Sequence, residues 1–249
     1  MKTIFQYLMC SCILFVASCK DFQKLAENKD GYVSLFNGQN LDGWEGDPTY
    51  WRVENGTIIG EVTPETLLDR NSFLIWRKGM VSDFELKVVF KVSSEGNSGI
   101  NYRSEEVEGL DYALKGYQAD IDGKLQYMGM NYEERIRTTI AKPGDQVKLS
   151  ESQGALKDNI SNNLWLPTKV VNSEPDLEKL KNVVKKNDWN EMRIVAKGNV
   201  LEHYVNGLLF SSVIDEDEKY LKKEGLLGVQ VHVGPPMKIE YKTILLKRL

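Results

Sequence analysis

The segment FELKVVFK, residues 84–91, decides the fold class because its apolar residues recur at every second position. These residues are Phe84, Leu86, Val88 and Phe90. A period of two is typical of a half-buried β-strand, whose successive side chains point to opposite faces. The same alternation recurs at Met192, Ile194 and Ala196, and at Ile239, Tyr241 and Thr243. The sequence therefore predicts a protein built mainly from short strands with one apolar face each.

Turn signals separate the predicted strands. They are Asn37-Gly38, Asn55-Gly56, Glu95-Gly96-Asn97, Lys197-Gly198-Asn199 and Asn206-Gly207. Many short strands joined in this way predict an all-β sandwich or jelly roll of two antiparallel sheets. Because the strands do not alternate with long helices, the pattern argues against a doubly wound α/β fold.

One short helix is predicted between Ser173 and Lys186. The sequence Ser173-Glu174-Pro175-Asp176 supplies a cap, an early proline and acidic residues for its first turn. Before it, the polar stretch from Lys148 to Val171 is predicted to be a long loop. Such a loop could be a lid over a site, or a surface excursion that covers a sheet edge.

The first eighteen residues are predicted to be a signal peptide. Lys2 precedes the apolar run Ile4–Val16, which is too short to span a bilayer. The run ends in Val16-Ala17-Ser18-Cys19, the pattern of a bacterial lipoprotein signal, in which Cys19 would receive the lipid. The alternative is an ordinary secretory peptide that is cut nearby. We expect a lipid-anchored protein of the cell envelope, on the periplasmic or surface face of the outer membrane.

The predicted organisation is a signal peptide at 1–18, a lipidated tether at 19–30 and one large domain at 31–249. Cys10, Cys12 and Cys19 are the three cysteines of the chain, so the domain must be stable without disulfides. The formal net charge is -4, and a mildly acidic chain argues against a nucleic-acid partner. The expected tie to the membrane is the lipid alone.

Three predicted strands each carry a row of polar residues on one face. These rows are Asn101 with Arg103, Gln118 with Asp120 and Asp122, and Gln230 with His232. Alternation alone proves little, since many sheets have one solvated face. The residue types are more informative, because these groups can bind hydroxyl groups or move protons.

From about Tyr32 to Leu249 the chain resembles the 3-keto-disaccharide hydrolase domain family of bacterial sugar-degrading proteins. The resemblance rests on six segments in a fixed order: NSGINYR (97–103), GYQADID (116–122), YMGMNYEERIR (127–137), DWNEMRI (188–194), HYVNG (203–207) and GVQVHVGPPM (228–237). Each motif is weak alone, but the ordered set is specific. Asn101 departs from the family pattern, which usually has a larger apolar or aromatic residue there.

The resemblance implies a concanavalin A-like jelly roll that cleaves glycosides already oxidised at C3. A ketone at C3 acidifies the proton on C2, because the resulting carbanion delocalises into an enolate. Loss of that proton allows the bond from C1 to the leaving oxygen to break, and water adds afterwards. This route differs from the oxocarbenium-like path of ordinary glycosidases. It needs a base near C2 and donors at the ketone and leaving oxygens.

The family motifs imply a set of catalytic residues, which we state as hypotheses. Asp120 is the leading base, because partial burial between Tyr117 and Ile121 would raise its basicity. His232 could act as base or proton donor, or could be a structural histidine. Arg103 is the candidate stabiliser of the enolate, and Glu134 is expected to line the same pocket. The predicted substrate-binding residues are Asn101, Gln118, Asp122, Tyr127, Arg137, Trp165 and Gln230.

Three other functions fit the same residues. They are a non-catalytic carbohydrate-binding lipoprotein, a two-carboxylate glycoside hydrolase that uses Asp120 and Glu134, and a structural or adhesion domain. No cofactor motif is visible, so a separate dehydrogenase would have to supply the ketone. Two histidines and a domain without cysteine argue against zinc, whereas a structural calcium ion would be compatible with the fold.

Overall fold

The computed structural model describes residues 28–151, 155–163, 168–174 and 176–249, which form two packed β-sheets. The first nine strands are β1 (Val33–Ser34), β2 (Trp44–Glu45), β3 (Trp51–Glu54), β4 (Thr57–Val62), β5 (Ser72–Val81), β6 (Phe84–Val92), β7 (Asn97–Glu106), β8 (Leu114–Asp122) and β9 (Asn131–Glu134). The others are β10 (Thr138–Ala141), β11 (Asp145–Leu149), β12 (Thr168–Ser173), β13 (Asn190–Lys197), β14 (Val200–Val205), β15 (Leu208–Asp215), β16 (Gly225–Val231) and β17 (Met237–Arg248). Two short helices are described, α1 (Leu156–Asn162) and α2 (Leu177–Val183).

Sheet A has ten strands among the described residues, in the order β12-β11-β15-β14-β13-β6-β17-β4-β3, with β1 also paired to β17. Sheet B has seven strands, in the order β10-β9-β8-β7-β16-β5-β2. Neighbours in sheet order are often far apart in the chain, as in a jelly roll. The predicted fold class, a concanavalin A-like jelly-roll sandwich, is confirmed.

The alternation in β6 places its apolar residues in the core between the sheets. Phe84, Leu86, Val88 and Phe90 are fully buried, whereas the residues between them are partly exposed. Phe84 reaches across to sheet B, where its ring lies 5.7 Å from that of Tyr102 in an edge-to-face arrangement. Polar contacts also join the sheets, for example Ser98 Oγ and Tyr241 Oη at 2.9 Å.

The structure differs from the predicted architecture in three details. One strand pair is parallel, since β11 runs alongside β15 in the same direction. The predicted loop from Lys148 to Val171 contains α1 and the start of β12, which pairs with β11. The predicted helix is α2, but it begins at Leu177, because the Asp176 side chain accepts from the Lys179 amide and so caps it.

Some predictions fall on residues outside the described part of the chain. These are the signal peptide, the lipidation site at Cys19, most of the tether and Trp165. In the described ranges, no helix is both long and apolar enough to cross a membrane.

Candidate functional site

Four buried polar side chains lie together on the outer face of sheet B, the face that points away from the core. Strand pairing sets their positions, because Asn101 of β7 lies opposite Gln118 of β8 and Gly228 of β16. Asp120 lies two residues beyond Gln118 and opposite Gly99. We call Asn101, Gln118, Asp120 and Gln230 the amide–carboxylate cluster. The sequence correctly predicts that these four residues share one face.

Three members of the cluster form a directed chain of hydrogen bonds. Gln230 Nε2 donates to Gln118 Oε1 at 3.1 Å, and Gln118 Nε2 donates to Asp120 Oδ1 at 2.6 Å. Within the described residues the other oxygen of Asp120 accepts no hydrogen bond from another side chain. One carboxylate oxygen is therefore fixed by the protein, and the other is available to a ligand.

The cluster also holds buried polar atoms that lack partners. Among the described residues, Asn101 Nδ2, Asn101 Oδ1 and Gln230 Oε1 make no hydrogen bond, although both side chains are fully buried. A buried polar group without a partner costs ~1–3 kcal/mol, and such groups in folded proteins usually serve a bound molecule or water. A donor and two acceptors without partners thus lie buried on the sheet face that carries Asp120.

Two carboxyl groups of the site have raised pKa values. Burial is the main cause of the raised pKa of Asp120, and the charges of Glu134 and Asp122 raise it further, whereas the Gln118 hydrogen bond lowers it. Burial also raises the pKa of Glu134, against the opposing effects of Arg135 and Asn71. Glu134 lies opposite Gly116 on the ladder between β8 and β9. Because the two carboxylates repel each other at close range, protonation of one favours ionisation of the other.

Sequence reasoning missed two residues beside these carboxyl groups. Asn71 Nδ2 lies 3.3 Å from both Glu134 oxygens, and Asn71 Oδ1 accepts from the Val233 amide at 2.9 Å. Tyr132 lies opposite Gln118, and burial together with Glu134 and Asp120 raises its pKa, so its phenol stays protonated. Tyr132 and Glu134 are two residues apart on one strand and so share a face, and this spacing could have identified Tyr132 from the sequence. Nothing in the sequence singles out Asn71.

His232 lies at the edge of the cluster, just beyond the end of β16 and two residues from Gln230. The backbone amide of its neighbour Val233 donates to Asn71, and the Asn71 side chain in turn donates to Glu134. Burial lowers the pKa of His232, so the imidazole is neutral at neutral pH. The second histidine, His203, is in the core, where its Nε2 lies 2.8 Å from Tyr102 Oη and burial lowers its pKa to about 4.

The expectation that Arg103 belongs to this cluster is wrong. A bulge interrupts the ladders on both sides of β7 near this residue, and Arg103 has a φ of 47°. Its guanidinium instead donates to the carbonyls of Ser82, Gly198 and Lys222 and to Asp83. Arg103 is fully buried, and its hydrogen bonds connect three loops, so its role is structural.

Arg137 was also expected in the substrate site, but the structure places it in the core with the side chain of Tyr117. Its guanidinium pairs with Glu133, Asp215 and Asp217, which are all fully buried. Glu133 and Glu134 alternate along β9, so they point to opposite faces. Arg137 therefore belongs to a buried ionic network between the sheets.

Asp122 and Tyr127 do not join the cluster either. The Asp122 carboxylate accepts from the backbone amides of Lys124, Gln126 and Tyr127, and so fixes the turn after β8. Tyr127 is half-exposed and lines an open cleft of about 1200 Å³ between this turn and α2. The described residues that line this cleft include none of the amide–carboxylate cluster.

The structure thus brings together Asn101, Gln118, Asp120, Gln230 and Glu134, and His232 follows two residues after Gln230. It separates Arg103, Arg137, Asp122 and Tyr127 from them. Across the described ranges, no group of three or more histidine, cysteine or acidic side chains could hold a metal ion. Chemically, the site combines two carboxyl groups, a neutral imidazole and unpaired amides.

The fold and the site define a jelly-roll protein that carries a buried acid–amide site on the outer face of one sheet. The profile of the 3-keto-alpha-glucoside-1,2-lyase-like domain matches residues 31–247, and the chain belongs to this family. A 3-keto-disaccharide hydrolase from Bacteroides thetaiotaomicron is 35% identical to it over 98 residues. That alignment covers 36% of this chain and 33% of the relative, so only about a third of the relative is represented.

Solved structures share the fold at low sequence identity. Two proteins from Parabacteroides distasonis that are assigned as glycosyl hydrolases superpose with TM-scores of 0.55 and 0.53, at 17% and 22% identity. Each alignment covers 88% of this chain, and 99% and 94% of those chains respectively. A Bacillus subtilis protein with a galectin-like fold gives a TM-score of 0.51 at 9% identity, over 84% of this chain and 90% of that one.

Proposed function

We propose that this protein cleaves glycosides that carry a ketone at C3, by removing the C2 proton and eliminating the C1 substituent. Membership of the family over residues 31–247 supports this reaction class. The observation that carries the proposal is that a buried Asp120, with one oxygen free of side-chain partners, shares a sheet face with the Asn101 amide, which has no partner among the described residues. A base and an uncharged hydrogen-bond donor are the two groups that enolate formation requires.

The proposed reaction has three steps, which are proton removal, elimination and hydration. Asp120 takes the proton from C2, and the electron pair of that bond forms the enolate, whose negative charge rests on the C3 oxygen. Asn101 Nδ2 donates to this oxygen, in the place that the sequence assigned to Arg103. The enolate then re-forms the ketone and a C1–C2 double bond as the C1–oxygen bond breaks. Glu134, whose pKa burial raises, is the proposed acid that gives its proton to the leaving oxygen. Water then adds its oxygen to C1 and gives a proton to Glu134, while Asp120 returns its proton to C2, so both carboxyl groups regain their starting states.

The remaining groups orient the sugar and support these transfers. Gln230 Oε1 is an unpaired acceptor for a sugar hydroxyl, and Tyr132 is a protonated phenol that can donate to one. His232, neutral and half-buried, is the candidate to relay the proton that the hydrating water loses. Elimination needs one carboxylate as base and one carboxylic acid as donor, and two neighbouring carboxyl groups with raised pKa values can share one proton in this way.

The direct test compares a 3-keto-glucoside with its unoxidised parent. The wild-type protein should convert only the oxidised substrate, and an unsaturated keto-sugar should precede the hydrated product. Asp120→Asn should lower turnover by about a thousandfold, the middle of the range for general acid–base catalysis. The matched control is Asp42→Asn, which removes an exposed carboxylate paired to Lys78 and should retain activity. Full activity of the Asp120 variant would assign the base elsewhere.

A non-catalytic sugar-binding role is the second candidate, because unpaired amides in a buried site suit hydroxyl recognition as well as catalysis. Tight binding of the 3-keto-glucoside without turnover would favour it. Cleavage of the unoxidised parent would instead favour a two-carboxylate hydrolase that uses Asp120 and Glu134.

The proposal has two consequences for the setting of the protein. Because the proposed reaction consumes a sugar that is already oxidised at C3, a separate dehydrogenase would have to supply it. The leader at 1–18 and Cys19 support a lipid-anchored location in the cell envelope. Radiolabelled palmitate incorporation by wild type, but not by Cys19→Ser, would test that location.

A further inference from the structure

We infer that Gln118 is a positioning residue for Asp120, and that Gln230 and Gly99 hold its amide in place. This inference rests on the proposed function, in which Asp120 is the base. It assigns a role to a side chain that was expected to contact the sugar directly.

The hydrogen-bond chain fixes the orientation of the Gln118 amide. Gln230 Nε2 donates to Gln118 Oε1 at 3.1 Å, so the donor end of Gln118 faces Asp120. The opposite orientation would place Gln118 Oε1 against the carboxylate, and two acceptors would then repel each other. Since Gln118 is held at both ends, it can orient Asp120 Oδ1 and leave Oδ2 for the substrate.

Gly99 provides the space that the Gln118 side chain fills. It lies directly opposite Asp120 on the neighbouring strand. A Cβ atom at position 99 would lie 2.5 Å from Gln118 Cδ and 2.7 Å from Nε2. Gly99 does not have the positive φ that favours glycine, so the requirement here is room rather than backbone conformation. Any larger residue would push the amide away from Asp120.

The electrostatic consequence follows from this contact. Burial and the charge of Glu134 raise the pKa of Asp120, and the hydrogen bond from Gln118 opposes them. Gln118 therefore keeps the base ionised at a lower pH than the buried site would otherwise permit. Loss of the donor should raise the pKa of Asp120 and move the acidic limb of the kcat/KM profile to higher pH.

The test measures kcat/KM against pH for Gln118→Leu, Gly99→Ala and the double variant on a 3-keto-glucoside. A hydrogen bond to a charged group changes an equilibrium by about ten- to a hundredfold, so each single variant should lose about that factor on the acidic side. The loss should shrink at alkaline pH, where Asp120 is ionised in all variants. The double variant should lose no more than Gln118→Leu, because both changes remove one contact.

Gly228→Ala is the matched control. Its methyl group is on the same face but would meet Leu114 at 2.7 Å rather than Gln118, so the acidic limb should not move. An equal loss of activity at every pH in Gln118→Leu would show a merely structural role and overturn the inference. So would a Gly99→Ala profile that matches wild type.

A second measurement separates this inference from the proposed reaction. The carboxyl carbon of Asp120 can be titrated by NMR in protein with labelled aspartate, and assigned by its absence in Asp120→Asn. Its titration should move to higher pH in Gln118→Leu and in Gly99→Ala, whether or not the 3-keto-glucoside is a substrate. An unmoved titration overturns the inference, whereas absent turnover with a moved titration overturns only the proposed function.

Discussion

Replacement of Arg137 by methionine tests whether this arginine is structural rather than a sugar ligand. The guanidinium is fully buried and donates to Glu133 at 2.5 and 3.1 Å and to Asp215 at 2.6 and 3.0 Å. It also contacts Asp217 at 3.5 Å and Tyr117 Oη at 3.1 Å. Methionine keeps much of the apolar volume but leaves three buried carboxyl groups without this cation.

Removal of one partner from a buried ion pair costs ~3–5 kcal/mol, since the remaining charge stays out of water. We expect Arg137→Met to lose that much free energy of unfolding. For a domain of this size, each 1 kcal/mol moves the Tm by about 2–4 °C, so the Tm should fall by about 6–20 °C. The penalty should be smaller at acid pH, where the orphaned carboxyl groups can take up protons.

Urea denaturation followed by tryptophan fluorescence measures this loss, with an unchanged m-value as evidence for a shared two-state transition. The control is Arg52→Met, because Arg52 pairs with Glu54 and Glu61 at the surface and such pairs contribute about 0–1 kcal/mol. If Arg137→Met kept wild-type stability but lost affinity for the sugar, the structural assignment would be wrong.

Three further predictions concern the site and the other buried arginine. Glu134→Gln removes the proposed acid, so kcat/KM should fall by about a hundredfold on a substrate with a poor leaving group and by much less on one whose leaving group needs no acid. Asp120→Asn should raise the free energy of unfolding by about 1–2 kcal/mol at alkaline pH and by less at acid pH. The reason is that an acid whose pKa is raised by folding destabilises the fold as it ionises, and equal stability of this variant and wild type throughout would contradict it. Arg103→Met should lower stability by ~2–3 kcal/mol in urea denaturation, yet leave the acidic limb in place. A shift of the acidic limb of the kcat/KM profile would instead assign Arg103 to the site.

Alternation in the sequence was sufficient to predict both the core and the central part of the site. The apolar parity of residues 84–91 gave a strand whose buried face is the one observed. Along 116–122 the same rule placed Gln118 and Asp120 on the face opposite Tyr117, as the structure has them. A period of two is reliable wherever a strand is regular, because each peptide reverses the side-chain direction.

The errors occur where the strand is irregular or where polar groups are buried. The bulge at Arg103 interrupts the alternation of side-chain directions along β7. A positive φ at a non-glycine residue has no signal in the sequence. Arg137 was misplaced because a charged residue in a family motif suggested a site, whereas two of its three acidic partners, Asp215 and Asp217, come from a distant segment. Asp122 lies on the expected face of β8, but its carboxylate accepts hydrogen bonds from the backbone of the turn that follows.

The position of β17 determines when the chain can fold during synthesis. This strand lies between β6 and β4 inside sheet A, although it follows every other described strand in the sequence. Until Met237–Arg248 has been synthesised, no strand connects β6 to β4, and the two parts of sheet A on either side of β17 remain separate. Sheet A can therefore be completed only after β17 has been synthesised, and a nascent chain that lacks this strand exposes apolar surface of the kind that chaperones bind.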